Sequence, residues 1–203
     1  GSLYSLTVNT IPNVISGLKL RRGELDIQLL LSSNLDLVKK LKTTELDAII
    51  VALNETTSDA DFESLAMFQD DIYLAVNKNS PLASLKEIDL STLKDETFLT
   101  LSKGFATRHD SDIVFEKAGI DPKVFLQVSD IFTLISMVST GVGLALLPGR
   151  ISTIYESSVK LIPLQAPYQI KQEIGLVFLK SKERDPNLLA LIAECRMFAR
   201  QYL

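Results

Sequence analysis

A two-lobed α/β architecture is the fold class the sequence predicts, and three features predict it. Strand-like and helix-like segments alternate from residue 3 to residue 53. The same alternation starts again at "TFLTL", 97–101. Two extended crossings, near 75–77 and 168–182, are placed to carry the chain from one half to the other and back. Alternating strands and helices are the pattern of parallel α/β sheets. The division expected is residues 1–75 with about 182–203 in lobe I, and 76–181 in lobe II.

The elements follow in order. "LYSLTVNT" alternates and is β-prone, so residues 3–9 read as a strand. A helix over 11–22 follows, with Pro12 in its first turn, where a missing N–H costs nothing, and Gly23 as its stop. "ELDIQLLL", 24–31, reads as a second strand. Ser33 or Asn34 then caps a helix carrying Leu35, Val38 and Leu41 at helical spacing. "LDAIIVAL", 46–53, is a nearly continuous apolar run of the kind that suits a strand covered on both faces.

In the second half, "TFLTL" leads to a helix over 107–118 closed by Gly119, and "KVFLQVS" to a helix over 130–140 with Ile131, Leu134, Ile135 and Val138 on one face. "VGLALLP", "VKLIPL" and "EIGLVFL" are later strands. Asp185 and Pro186 open a final helix whose apolar stripe is Leu188, Leu191, Ile192, Cys195, Phe198 and Tyr202.

Composition narrows the function. Of 203 residues, 46% are hydrophobic and 23% charged, ordinary for a globular protein. A net charge of -4 is not that of a chain holding nucleic acid by phosphate neutralisation. No apolar run is long enough for a membrane span, so no membrane partner is expected. One cysteine, Cys195, excludes an internal disulfide and fits a reducing, cytoplasmic setting. One histidine and one cysteine argue against a zinc site, and no metal or cofactor is expected. There is no GxSxG, P-loop or GxGxxG, and "GVG" at 141–143 stands in the wrong order for a dinucleotide turn, so the chain does not read as an enzyme. The opening "GS" reads as a cloning remnant on a fragment of a longer chain.

The candidate site lies where strands end and helices begin. Open α/β sheets bind ligands at the carboxyl ends of their strands, because helix N-termini present unpaired N–H groups and partial positive charge. The segments so placed are "VNTIP" with Asn9 and Thr10, "ALNET" with Asn54, "LSKGFATRH" with Ser102, Lys103, Gly104, Phe105, Thr107 and Arg108, "VSDIF" with Ser129, and "LLPGR" with Arg150. Thr10 and Ser129 serve equally as helix caps, Arg108 as a solvated arginine, and Gly104 as a turn residue. His109, beside Asp110 and Asp112, reads as a surface residue at a helix start.

The order of these segments, with "DDIYLAVNKNSPLA" and "GVGLALLPGRI" in sequence, resembles the effector-binding domain of LysR-type transcriptional regulators over the whole chain. "SKGFATRHDSDIVFEKAGI", "SDIFTLISMVSTGVGLALLPGRI" and "SKERDPNLLALIAECRMFARQYL" are similar to the malonate-utilisation branch of that family. The resemblance implies two Rossmann-like lobes with a central cleft, the type II periplasmic-binding-protein-like fold. It implies a small anionic effector, malonate or a related carboxylate, and no catalysis. It implies a separate N-terminal winged helix-turn-helix as the DNA reader, and pairing into homodimers and, at full length, homotetramers. Carried over, the effector contacts are Asn9, Thr10, Asn54, Ser102, Gly104, Phe105, Thr107 and Ser129, and the cation for the second carboxylate is Arg108, with Lys103 or Arg150 in reserve. The alternative on the same architecture is the solute-binding protein of a transporter; a dehydratase-like enzyme is the remaining rival.

Overall fold

The computed structural model describes residues 1–201. The chain divides into two compact units, Gly1–Gln69 with the segment from Glu173 onward, and Asp70–Gln172. Both divisions fall inside long strands, β2 (Phe62–Asn77) and β7 (Lys171–Leu179). They lie several residues earlier than the boundaries expected at 75/76 and 181/182, because apolar patterning marks where a strand runs and not where along it the packing changes partner.

In the first unit the order of elements is α1 (Thr10–Arg21), α2 (Asn34–Lys42), β1 (Ala48–Ala52), the first half of β2, β7, and α6 (Pro186–Ala199). β1 pairs antiparallel with β7, Ile50 opposite Leu176, and β7 also neighbours β2. On its other side β1 meets Ser2, which bridges Ile50 and Leu31, both in parallel sense. Gly1 and Ser2 are thus bonded into the sheet. Ser2 is fully buried, and the Gly1 carbonyl accepts from Ile50 N at 2.9 Å.

Two expected strands differ. Residues 3–9 are not a strand: extended chain ends at Leu3, and Tyr4–Val8 form a 3-10 helix leading into α1. Segment 24–31 forms only the single bridge at Leu31, with Ile27 and Leu29 over 40% exposed. Strand preference reflects packing against neighbours more than an intrinsic tendency of the backbone, and these side chains have no neighbours to pack on. The helices follow the sequence closely. Ser33 Oγ accepts from Asp36 N at 3.2 Å to cap α2, and Asp185 caps α6 through Asn187 N and Leu188 N. Leu188, Ile192, Cys195 and Phe198 are buried on the inner face of α6, Leu191 is half-buried, and Tyr202 lies outside the described residues.

The second unit contains the remainder of β2, β3 (Thr97–Leu101), α3 (Ala106–Ala118), β4 (Lys123–Val128), α4 (Ile131–Ser139), β5 (Ala145–Pro148), the short α5 (Ser152–Tyr155) and β6 (Val159–Pro163). β3 pairs in parallel with β4 and, through Phe98 and Leu144, with the start of β5. β5 and β6 both pair antiparallel with β2. The core joins Leu74, Val76, Leu146 and Ile162 from the sheet to Val114 and Phe115 of α3. Phe98 meets Phe115 edge-on, ring centroids 4.9 Å apart. This packing fixes α3 against β3, and with it the turn between them.

Candidate functional site at the strand ends

In the second unit the three mutually parallel segments β4, β3 and the start of β5 point their carboxyl ends the same way. After them come Ser129, Ser102 and Gly149. The pairing continues one residue past both β3 and β4. Ser102 N donates to the Val128 carbonyl at 2.8 Å, Ser102 Oγ donates to the same oxygen at 3.1 Å, and the two hydroxyls of Ser102 and Ser129 lie 3.4 Å apart. Two residues 27 positions apart in sequence are thus brought side by side. Ser129 does not cap α4. Asp130 does, accepting from Thr133 N at 2.8 Å, so the Ser129 hydroxyl stays exposed at the strand end.

Gly104 has φ 96°, the left-handed region that favours glycine, and this lets the chain turn from β3 into α3 within a few residues. α3 opens at Phe105 with no side-chain cap. Arg108 N and His109 N return to the Phe105 carbonyl, at 3.1 and 3.2 Å. The amides of Ala106 and Thr107 have no partner among the described residues, as expected at an uncapped helix start. Phe105 is half-buried and Thr107 buried; Lys103 and His109 are exposed.

Arg108 is anchored, not solvated. Its Nε donates to Asp112 at 2.8 Å and Nη1 to the Leu101 carbonyl, the last of β3, at 3.2 Å. Its side chain is 18% exposed, and Nη2 has no partner among the described residues. Arg150 has a different fate from the one expected. Its Nη1 and backbone N–H donate to Asp70 Oδ2, both at 3.0 Å, and Nη2 donates to Gln172 Oε1 at 2.6 Å. The guanidinium thus bonds two internal partners, Asp70 and Gln172, where Arg108 bonds Asp112 and the Leu101 carbonyl. Burial lowers its pKa, and the Asp70 charge opposes that.

In the first unit Asn9 and Thr10 do not stand at a strand end. Asn9 and Thr10 follow the 3-10 stretch; Asn9 is exposed and bonded to the Asn13 amide, and Thr10 is buried in α1. Asn54 does follow β1, but its side-chain oxygen accepts from Thr56 N at 3.0 Å and Thr56 Oγ1 at 2.6 Å, a local cap. Because extended chain ends at Leu3, the residues at the first strand end are Tyr4 and Ser5, Ser5 being buried. Setting "GS" aside shifts the strand one segment too late and conceals them.

The family model described as the LysR substrate binding domain matches residues 1–200. The chain belongs to that family. The Klebsiella pneumoniae malonate utilization transcriptional regulator is 44% identical over 98% of this chain. The Bacillus subtilis transcriptional dual regulator GltC is 28% identical over 90%. This LysR domain spans 65% and 61% of those two relatives. Both are transcriptional regulators.

Among solved structures, the effector binding domain of QuiR in complex with shikimate superposes with a TM-score of 0.87 at 22% identity, covering 100% of this chain and 96% of that one. The effector binding domain of a BenM variant gives 0.84 at 22% identity, covering 99% and 93%. The fold is accordingly the α/β, type II periplasmic-binding-protein-like fold of LysR effector-binding domains. No helix among the described residues is long and apolar enough to cross a membrane.

Proposed function

We propose that this LysR domain senses a small carboxylate, with malonate the first candidate, as the effector-binding part of a cytoplasmic transcriptional regulator. Binding centres on the strand-end turn of the second unit. One carboxylate is held by the Ser129 hydroxyl and the free amides of Ala106 and Thr107, with the Ser102 hydroxyl turning from the Val128 carbonyl to join them. The other takes the Nη2 edge of Arg108. The observation that carries this reading is the Ser102–Ser129 approach of 3.4 Å beside an uncapped helix start. Helix N-termini and hydroxyls suit anions, and a fixed guanidinium suits a planar carboxylate. The similarity to a malonate utilization regulator supports the choice of ligand. DNA binding belongs to a separate helix-turn-helix segment, and the regulator works as a homodimer or homotetramer.

The mechanism needs no chemistry. An effector shifts a conformational equilibrium only by its difference in affinity for the two states. The test is a melting series with malonate, succinate, acetate and shikimate. At a hundred times Kd a ligand adds about 2.7 kcal/mol. For a chain of this size that is roughly 5–10 °C in Tm. A series in which no carboxylate raises Tm overturns the proposal.

A further inference from the structure

Four polar side chains of the second unit that the effector site does not use, Gln172 buried and the others partly buried, form one connected chain. Gln172 Nε2 donates to Asp110 Oδ2 in a short hydrogen bond. Gln172 Oε1 accepts from Arg150 Nη2, and Arg150 Nη1 and its backbone N–H donate to Asp70 Oδ2. The Gln172 residue is 3% exposed, and the Arg150 and Asp70 side chains are 9% and 13% exposed. The ends of this chain have meaning in the fold. Asp110 lies in the first turns of α3, two residues after Arg108 and three after Thr107. Asp70 and Gln172 are the first and last residues of the second unit, the two points where the polypeptide passes to the first. Close beside them Ile72 N donates to the Ile170 carbonyl at 3.3 Å.

We infer that Asp110, Gln172, Arg150 and Asp70 act as positioning residues that tie the effector-binding start of α3 to both passages of the chain, so that occupation of the site is felt at residues 70–72 and 170–172 together. The inference rests on the reading of the α3 start as the effector site. Its physical basis is directional. Each group is satisfied by the next, and partial burial leaves little room for water to substitute for a lost partner. A displacement of Asp110 must either break a buried bond or carry Gln172 with it. Gln172 is the only neutral member; its amide presents a donor to one side and an acceptor to the other. That lets one side chain join a carboxylate to a guanidinium.

The experiment is residue-resolved amide hydrogen exchange on the wild type, Gln172→Leu, and the double swap Asp110→Asn with Gln172→Glu. In the swap, the amide introduced at position 110 donates to the carboxylate introduced at position 172. That carboxylate still accepts from Arg150, so the connection is rebuilt with its polarity reversed at one link. Without ligand, Gln172→Leu is expected to speed exchange at Arg108, His109 and Ile72 together, at least fivefold each, and the swap to restore them to within twofold. With malonate, the wild type is expected to gain protection at Ile72 that Gln172→Leu lacks and the swap recovers. Faster exchange at Ile72 with Arg108 and His109 unchanged, or no recovery in a folded swap variant, overturns the inference. Loss of malonate binding in the wild type would overturn the proposed effector instead, and the ligand-free arm would still decide whether the groups are coupled.

Discussion

Arg108→Ala separates the ligand role of the guanidinium from its role in the fold, and both magnitudes follow from its partners. Within the protein the change removes an i,i+4 pair with Asp112, whose side chain is 53% exposed, and one hydrogen bond to the Leu101 carbonyl. Exposed helical pairs contribute about 0.3–0.5 kcal/mol, and a single hydrogen bond about 1 kcal/mol. The ligand-free protein should therefore lose about 1–2 kcal/mol, or roughly 2–8 °C in Tm for a chain of this length. Toward a carboxylate, a charge-assisted hydrogen bond from Nη2 is worth about 1.5–3 kcal/mol. At about 1.4 kcal/mol per decade, malonate affinity should fall about 10- to 100-fold. Titration calorimetry of wild type, Arg108→Ala and Asp112→Asn reads the two effects apart. Asp112→Asn weakens the helical pair and leaves the guanidinium present, so it should keep affinity within a few-fold. A folded Arg108→Ala protein with unchanged Kd refutes the assignment of this cation.

Four further expectations concern stability, reactivity and charge. A Cβ at Gly149 would lie 2.8 Å from both Asp70 Oδ1 and the Tyr73 ring, so Gly149→Ala should push Asp70 off Arg150 and cost about 1–3 kcal/mol by denaturant unfolding; an unchanged midpoint would show that the contact relaxes freely. Cys195 is buried, and burial first, then the charge of Glu194, push its pKa up to about 12; the native thiol should resist Ellman's reagent at pH 8 and react once unfolded, and fast native labelling would contradict this. Asp110 has its pKa raised by burial, against the opposing Gln172 hydrogen bond and the charges of His109 and Arg150; the folded state then holds its proton more tightly than the unfolded state, so its contribution favours folding below the unfolded pKa and is lost as pH rises through the folded one. Asp110→Asn should remove that loss from the stability–pH profile, and an unaltered slope would remove Asp110 as its source. Lys103 is exposed at the turn, so Lys103→Ala should slow malonate association and reduce its salt dependence more than it changes dissociation; an equal effect at low and high salt would refute a steering role.

The sequence reading reaches furthest where a local signal has a local cause. Ser33, Asp185 with Pro186, and Gly119, which closes α3 in a left-handed conformation, mark helix ends in both sequence and structure. Ile131, Leu134, Ile135 and Val138 all turn inward. It fails where a strand depends on distant partners. "LYSLTVNT" and "ELDIQLLL" both look β-prone, yet the single position that enters the sheet beside them is Ser2, held between Leu31 and Ile50. At the proposed site, residue type and position cannot separate two arginines of similar setting. Arg108 and Arg150 each follow a strand; only the tertiary pairing with Asp70 and Gln172 makes one internal. Asp70 and Gln172 carry no signal in sequence at all, because they meet Arg150 across 80 and 22 positions.

The proposed anion site lies in a chain of net charge -4 and needs a local explanation, which the hydrogen bonds supply. Asp130 beside Ser129 is turned to Thr133 N, where the α4 N-terminus offsets its charge. Asp112 is paired with Arg108, Asp110 accepts from Gln172, and Asp70 accepts from Arg150. These four carboxylates are therefore already acceptors, while the amides of Ala106 and Thr107 and Nη2 of Arg108 remain donors. Overall charge governs long-range attraction, which salt screens over about 10 Å. Recognition at contact depends on which donors are left over, and at this turn the surplus is of donors. For the proposed dicarboxylate effector, a second carboxylate would matter because the uncapped amides and the guanidinium are distinct donor groups, and a monocarboxylate would leave one of them without a partner.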